Sequence, residues 1–290
     1  MFPLESVPNF SEGRDAATIE AIGKALASHA RLLDVHTDAD HNRSVFTLVG
    51  SEDELADALV ASVRVAAERI DLRLHEGAHP RIGAADVVPI VPLRPSDMER
   101  ARAAAALVGS RIGAEVELPV FIYGPPERGP AFYRRGGPAE LQRRIDDGEL
   151  VPDYGPATLH ASAGGVILGA RPPLIAFNVN LRGDLSVARE IAALVRERGG
   201  GFPGVRALGL DLPRAGLVQV SMNVEDWEAA ALHEIVARIE HEAEARGAEV
   251  VSSELVGLMP AGAAAAAAGA VLRIDGFDQS HVLELRLLDA

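Results

Sequence analysis

An α+β fold of two ferredoxin-like subdomains is what this sequence predicts, and three observations carry the prediction. The order β-α-β-β-α-β can be read twice along the chain, before and after a long insert. Within each copy the apolar spacing switches between a period of two and a period of about 3.6, the marks of half-buried strands and amphipathic helices. With 290 residues, 48% of them hydrophobic, the chain can fill two separate cores. The expected division is 1–172 and 173–290, the first subdomain carrying an added helix, strand and long loop.

The first copy opens with a short strand ending over Val7 to Phe10, then a helix from about Asp15 with Ile19, Ile22 and Leu26 on one face. Two β-rich runs, Leu32 to Val35 and Val45 to Val49, flank the polar turn TDADHNR. Ser51 and Glu54 spell a capping box for a helix that buries Leu55, Leu59, Val63 and Ile70. A strand near Asp86 to Val91 closes the copy.

In the insert, Ser96 and Glu99 read as another capping box, opening a helix to about Ile112. Pro119 to Tyr123 is a strand, and 124–162, rich in Gly, Pro and charge, reads as a long irregular segment. Gly164 to Ala170 is a strand of close backbone approach. Sheets facing each other across such an insert would leave a cleft for a ligand.

The second copy runs from the strand LIAFNVNL (174–181) through a helix at Ser186 to Arg198. A hairpin follows, Val205 to Leu210 and Leu217 to Met222 around LPRAG. Leu232, Ile235, Val236 and Ile239 stripe a second helix, Glu249 to Val256 is the last strand, and Ala261 to Gly269 reads as a helix.

Composition excludes several chemistries. There is no cysteine, which removes thiol nucleophiles, disulfides and zinc–thiolate sites. The only lysine is Lys24, so a Schiff-base mechanism has little to work with. A net charge of −14 argues against a nucleic-acid partner. The opening MFPLESVPNF lacks a charged head before an apolar stretch, and the alanine-rich run 261–272 is too short to span a bilayer; a soluble, cytoplasmic protein with no membrane partner is expected.

Chemistry-bearing residues gather in few places. HEGAHPR (75–81) sets His75, Glu76, His79 and Arg81 on one short bend. Gly77 and Pro80 forbid the continuous helix on which two histidines four apart would share a metal, and leave a histidine as general acid and base. His36, Asp38, Asp40 and His41 in DVHTDADH offer hard and borderline metal ligands or a solvated turn. Arg43, Arg81 and Arg171 each lead into an apolar run, where an arginine holds a fixed anion or snorkels. GPATLHASAGG (155–165) mixes glycine with Thr158, His160 and Ser162, a backbone suited to a flat polar ligand.

Taken together, VPNFSEGRD (7–15), LLDVHTDADHNRSVFTLVG (32–50), HEGAHPRIGAADVVPIVP (75–92), LIAFNVNL (174–181), QVSMNV (219–224) and SSELVGLMP (252–260) resemble the formiminotransferase domain of glutamate formimidoyltransferases. The blocks keep their order over nearly the whole chain. The mammalian relatives add a cyclodeaminase domain, which is not expected in a chain ending near Ala290.

The resemblance implies transfer of a formimidoyl group between N-formimidoyl-L-glutamate and N5 of tetrahydrofolate, in histidine degradation and one-carbon metabolism, by a homodimer. Tetrahydrofolate is then a cosubstrate, and no metal is expected. The family's acid/base histidine falls on His79. Its folate-contacting loop falls on Gly155, Pro156, Ala157, Thr158, Leu159, His160, Ala161, Ser162, Ala163 and Gly164, with Arg171 added as a folate contact; the mammalian loop's tryptophan is missing here. His36 stands where the mammalian pattern has an acidic residue that assists the histidine, and Asp34 or Asp38 is the stand-in; Glu254 falls where a polar side chain lines the site. Asn9, Asn42, Arg43 and Arg81 are expected to bind the donor, the arginines through its carboxylates. Three alternatives stay open: a sister transferase using formiminoglycine, a non-catalytic folate-binding module, and a metal-dependent hydrolase on His36, Asp38, Asp40 and His41.

Overall fold

Pro8 has no N–H to give a ladder, and the first strand therefore enters its sheet in two pieces, β1 (Leu4–Ser6) and β2 (Asn9–Phe10). Both pair with the same two neighbours, β4 and β5. The structure, a computed structural model, describes residues 2–124 and 128–288, in two units, Met1–Pro172 and Pro173–Ala290.

In the first unit α1 (Ala16–Ala27) starts at Asp15, whose carboxylate accepts from Ala17 N. β3 (Arg31–Asp38) and β4 (Arg43–Gly50) form the hairpin, and α2 (Glu52–Arg69) opens on the Ser51–Glu54 capping box. β5 (Ala85–Pro92) follows. The order β3-β4-β1/β2-β5 is the ferredoxin-like one, extended past β5 by β7 (Val166–Ala170) and β6 (Val120–Ile122), both parallel. Alternation along the strands then builds two cores. Phe46, Leu48 and Val88 pack under α1, α2 and α3 (Met98–Arg111). Val87, Phe121 and Ile167 point the other way, with Tyr133 and Leu141.

Those last two side chains correct the irregular-segment expectation. After residues 125–127, which lie outside the described residues, the insert forms α4 (Pro130–Arg134) and α5 (Gly137–Asp146). Each begins with proline in its first turn, and Gly136 at φ 74° and Gly137 at φ 73° make the corner between them. Leu141 and Ile145 go inward, and buried Arg144 donates to Phe132 O at 2.9 Å, fastening α5 to α4. The second expected capping box is also absent: Ser96 lies in a 3-10 turn, and Asp97 caps α3 without a side-chain hydrogen bond.

In the second unit β8 (Ile175–Arg182), α6 (Leu185–Val195), β9 (Val205–Leu212), β10 (Leu217–Val224), α7 (Leu232–Glu244) and β11 (Glu249–Val256) give the same plan. The sheet runs β11-β8-β10-β9, all antiparallel. Phe177, Val179, Val220 and Met222 face α6 and α7, burying a core worth about 1.5–3 kcal/mol per large apolar side chain. α8 (Ala261–Leu272) and α9 (Leu283–Leu288) follow. Among the described residues no helix is long and apolar enough to cross a membrane.

Candidate active site

The turn from β3 to β4 gathers the first unit's polar residues. Asn42 sits there at φ 47°, a left-handed conformation that asparagine tolerates. Its Oδ1 accepts from Gly13 N at 2.9 Å and its Nδ2 donates to Glu76 O at 3.0 Å, tying the N-terminal loop and the His75–Arg81 bend to one side chain. His41, 1% exposed, donates its backbone N–H to Asp38 Oδ1 at 2.7 Å. Its ring lies stacked on that of His79, centroids 6.0 Å apart. Asn42, expected as a substrate ligand, thus serves the turn itself.

Arg81 fastens the bend to this turn. Its Nη1 donates to Asn42 O and its Nη2 to His41 O and His79 O, at 3.1, 2.9 and 2.7 Å. Nε adds a bond to His79 O, and Nη1 lies 2.6 Å from His75 Nε2. His75 Nε2 also lies 3.0 Å from Asn42 O, a carbonyl that only accepts; burial, then Arg81, hold the pKa of His75 below the usual value, against the pull of that carbonyl. Gly77 makes the approach possible, since a Cβ there would stand 2.3 Å from His41 O and 2.6 Å from Arg81 Nη2. Arg81 therefore holds main-chain carbonyls where sequence reasoning gave it a substrate carboxylate.

His79 is half-buried beside them. Its Nδ1 lies 2.8 Å from Pro80 O. A carbonyl only accepts, so Nδ1 carries the hydrogen and Nε2 keeps its lone pair. Burial, then Arg43 and Arg134, push its pKa well below the usual 6.5.

The cations come from three elements. Arg43 opens β4, opposite Asp38. Burial and the neighbouring Arg134 lower its pKa to about 10, against the pull of Asp86 and Asp38. Among the described residues no hydrogen bond or ion pair occupies its guanidinium. Asp86, 2% exposed, accepts from Ile82 N at 2.7 Å through Oδ1 and pairs through Oδ2 with Nη2 of Arg134, the last residue of α4. Sequence reasoning missed both. Their pairing spans 48 positions, and α4 is too short for a periodic signal.

Residues 155–164 form a loop, exposed over 155–158 and buried at Ala163 and Gly164, that ends in a tight turn where His160 N and Gly164 N each donate to the other's carbonyl. Gly164 at φ 69° meets Ile82 O, and Gly165 N donates to that same carbonyl at 3.1 Å. Leu72 N donates to Ser162 O at 2.8 Å. The loop thus hangs from the end of β5 that carries the His79 bend. Arg171 does not join it: β7 runs parallel to β5, and Arg171 N bonds Ile90 O at the far end, about 25 Å along the strand at roughly 3.3 Å per residue. It acts there on Glu5 and Tyr123.

His36, Val45, Asn9 and Val87 form a row across β3, β4, β2 and β5, and Asn9 donates to Val7 O. Asp38 is two residues beyond His36, on the same face. Among the described residues no group of three or more His, Asp or Glu is placed to hold a metal ion. In the second unit Glu254 Oε2 accepts from Asn178 Nδ2 at 2.9 Å and Gln219 Nε2 at 3.4 Å, and Gln219 also donates to Asn180 Oδ1. Asn178 and Gln219 are 3% and 0% exposed. Alternation in FNVN marks such a polar face, but not its burial.

With these arrangements in view, comparison with known proteins defines the class. Residues 3–171 match the sequence model of the formiminotransferase domain, N-terminal subdomain, and residues 176–278 that of the formiminotransferase domain. The chain belongs to the formiminotransferase family. It is 37% identical over 294 residues to glutamate formimidoyltransferase of Streptococcus pyogenes serotype M1, covering 98% of both chains. Against the enzyme of the same name from Thermoplasma acidophilum identity is also 37%, covering 98% of this chain and 97% of the other. The formimidoyltransferase-cyclodeaminase of Rattus norvegicus is 38% identical over 270 residues, 89% of this chain and 50% of that protein.

Proposed function

We propose that the protein is a glutamate formimidoyltransferase, moving the formimidoyl group between N-formimidoyl-L-glutamate and N5 of tetrahydrofolate, with His79 as its acid and base. The observation that carries this is the placement of His79: Nδ1 lies 2.8 Å from Pro80 O, which leaves the lone pair on Nε2, and burial with Arg43 and Arg134 pushes its pKa well below 6.5. The relatives' names support the reaction.

The chemistry needs one shuttle. Tetrahydrofolate N5 attacks the amidine carbon, forming the N5–C bond and a tetrahedral intermediate. Nε2 of His79 takes the proton that N5 releases and passes it to the glutamate nitrogen. The C–N bond then breaks and glutamate leaves as its amine. A neutral imidazole of low pKa takes the proton at pH 7 and returns it readily. Arg43, with its guanidinium open, is the proposed anchor for a donor carboxylate. The loop 155–164 is the proposed folate contact, supported by its attachment at Ile82, three residues from His79. His36 and Asp38 are proposed as the residues that tune the histidine, and Glu254, by itself in the second unit, as a polar residue with a functional role. We place the reaction in histidine degradation and one-carbon metabolism, in a cytoplasmic homodimer, on the family resemblance.

The test is turnover. Purified protein with tetrahydrofolate and N-formimidoyl-L-glutamate is expected to form 5-formimidoyl-tetrahydrofolate. No product with saturating substrates would overturn the reading.

A further inference from the structure

The donor proposed above carries two carboxylates, and the His79 bend offers fewer open guanidiniums than its arginine count suggests. Arg81 is taken up by the carbonyls of His41, Asn42 and His79. Arg43 is open, which serves one carboxylate. Two further cations reach the bend: Arg14, which is exposed and donates through Nε to Ala39 O, and Arg134, carried in on α4 by the insert. Its Nη2 meets Asp86 Oδ2, and Asp86 in turn holds Ile82 N, one residue beyond Arg81. That chain of contacts sets the guanidinium at the bend. Asp86 does not saturate it: Nε is buried with no hydrogen-bond partner among the described residues. A buried donor left unmet is costly unless a ligand completes it. Around Arg43, three guanidiniums (its own, Arg81 and Arg134) meet two carboxylates, Asp38 and Asp86, and Arg14 and Glu12 at the bend leave that excess of positive charge unchanged, which an anionic ligand would offset.

We propose that Arg134 is a specificity-determining residue: it binds the side-chain carboxylate of the formimidoyl amino acid, the group that separates a glutamate derivative from a glycine derivative. This rests on the formimidoyl-transfer reading and extends it to donor choice. A guanidinium matches a carboxylate edge to edge, so loss of the pair is read as a donor-dependent loss of affinity.

The experiment is calorimetric binding of N-formimidoyl-L-glutamate, N-formimidoylglycine and tetrahydrofolate to the full chain. The variants are Arg134→Gln and the double variant Arg134→Gln/Asp86→Asn. The double variant guards against misfolding. The single one strands the buried carboxylate of Asp86, whereas the Asp86→Asn change removes that charge and leaves an amide oxygen to accept from Ile82 N. The wild-type protein is expected to prefer the glutamate derivative by about 10- to 100-fold, and the double variant to bring that ratio within about threefold of one. A ratio that survives, or an equal loss for both donors, would overturn the proposal and leave Arg134 as a structural partner of Asp86. A loss confined to tetrahydrofolate would assign the arginine to the folate tail and overturn it as well. Absence of turnover in the wild-type protein would strike the transferase reading instead, because the ratio of dissociation constants is read without catalysis.

Discussion

A general base near neutrality has to be neutral, and His79 is kept so by its surroundings. Burial comes first, then the nearby guanidiniums of Arg43 and Arg134, and each disfavours the imidazolium. The acid limb of kcat/KM should therefore fall below pH 6.5, the usual histidine value; a midpoint at or above 6.5 would contradict the assignment. Stability carries the same sign. The unfolded chain protonates this histidine near 6.5 while the folded one resists, so stability is fully present above 6.5 and is lost as pH falls toward the lower folded value. His79→Gln should flatten that part of a urea-unfolding profile run from pH 7.5 to 5.5. His75, shifted the same way by burial and Arg81, keeps some slope in the variant. His79, Asn42 and Arg43 could be singled out because they sit in contiguous motifs. Arg81 could be singled out too, but its partners could not, since only the folded bend shows which carbonyls its donors reach.

At the scale of elements, local chemistry decides how much the sequence reveals. The α2 cap is an example: Ser51 N donates to Glu54 Oε2 at 2.7 Å, Glu54 N donates to Ser51 Oγ at 3.4 Å, and the pattern is visible in four residues. Ser51→Ala should lower stability by about 1 kcal/mol in urea unfolding with kcat unchanged. A drop in kcat beyond experimental error would mean that α2 influences the site. The insert shows the opposite case. α5 turns Leu141, Arg144 and Ile145 inward, and an arginine among three buried positions breaks the apolar stripe that periodicity relies on. α4, at five residues, has no period to detect. So the element carrying Arg134 was hidden, and with it half of the Asp86 pair. The distance of Arg171 from the 155–164 loop was hidden for a topological reason: β7 is parallel to β5, a pairing that no local pattern encodes.

For the whole molecule, the two βαββαβ orders were legible because hydrophobic period and turn chemistry agree along each copy, and the sheet order in each unit is the one that topology requires. The buried amide face of the second unit was half legible: alternation marks Asn178 and Gln219 as one polar side, while their burial depends on the folded chain. The three scales meet at His79, where a turn, a bend and an insert converge to fix one neutral imidazole. The measurement that tests this most directly is kcat of His79→Ala against wild type in the formimidoyl-transfer assay, with circular dichroism showing that the variant is folded. A loss on the order of 10² to 10⁴ is expected if His79 moves the proton. Turnover within a few-fold of wild type would contradict that role.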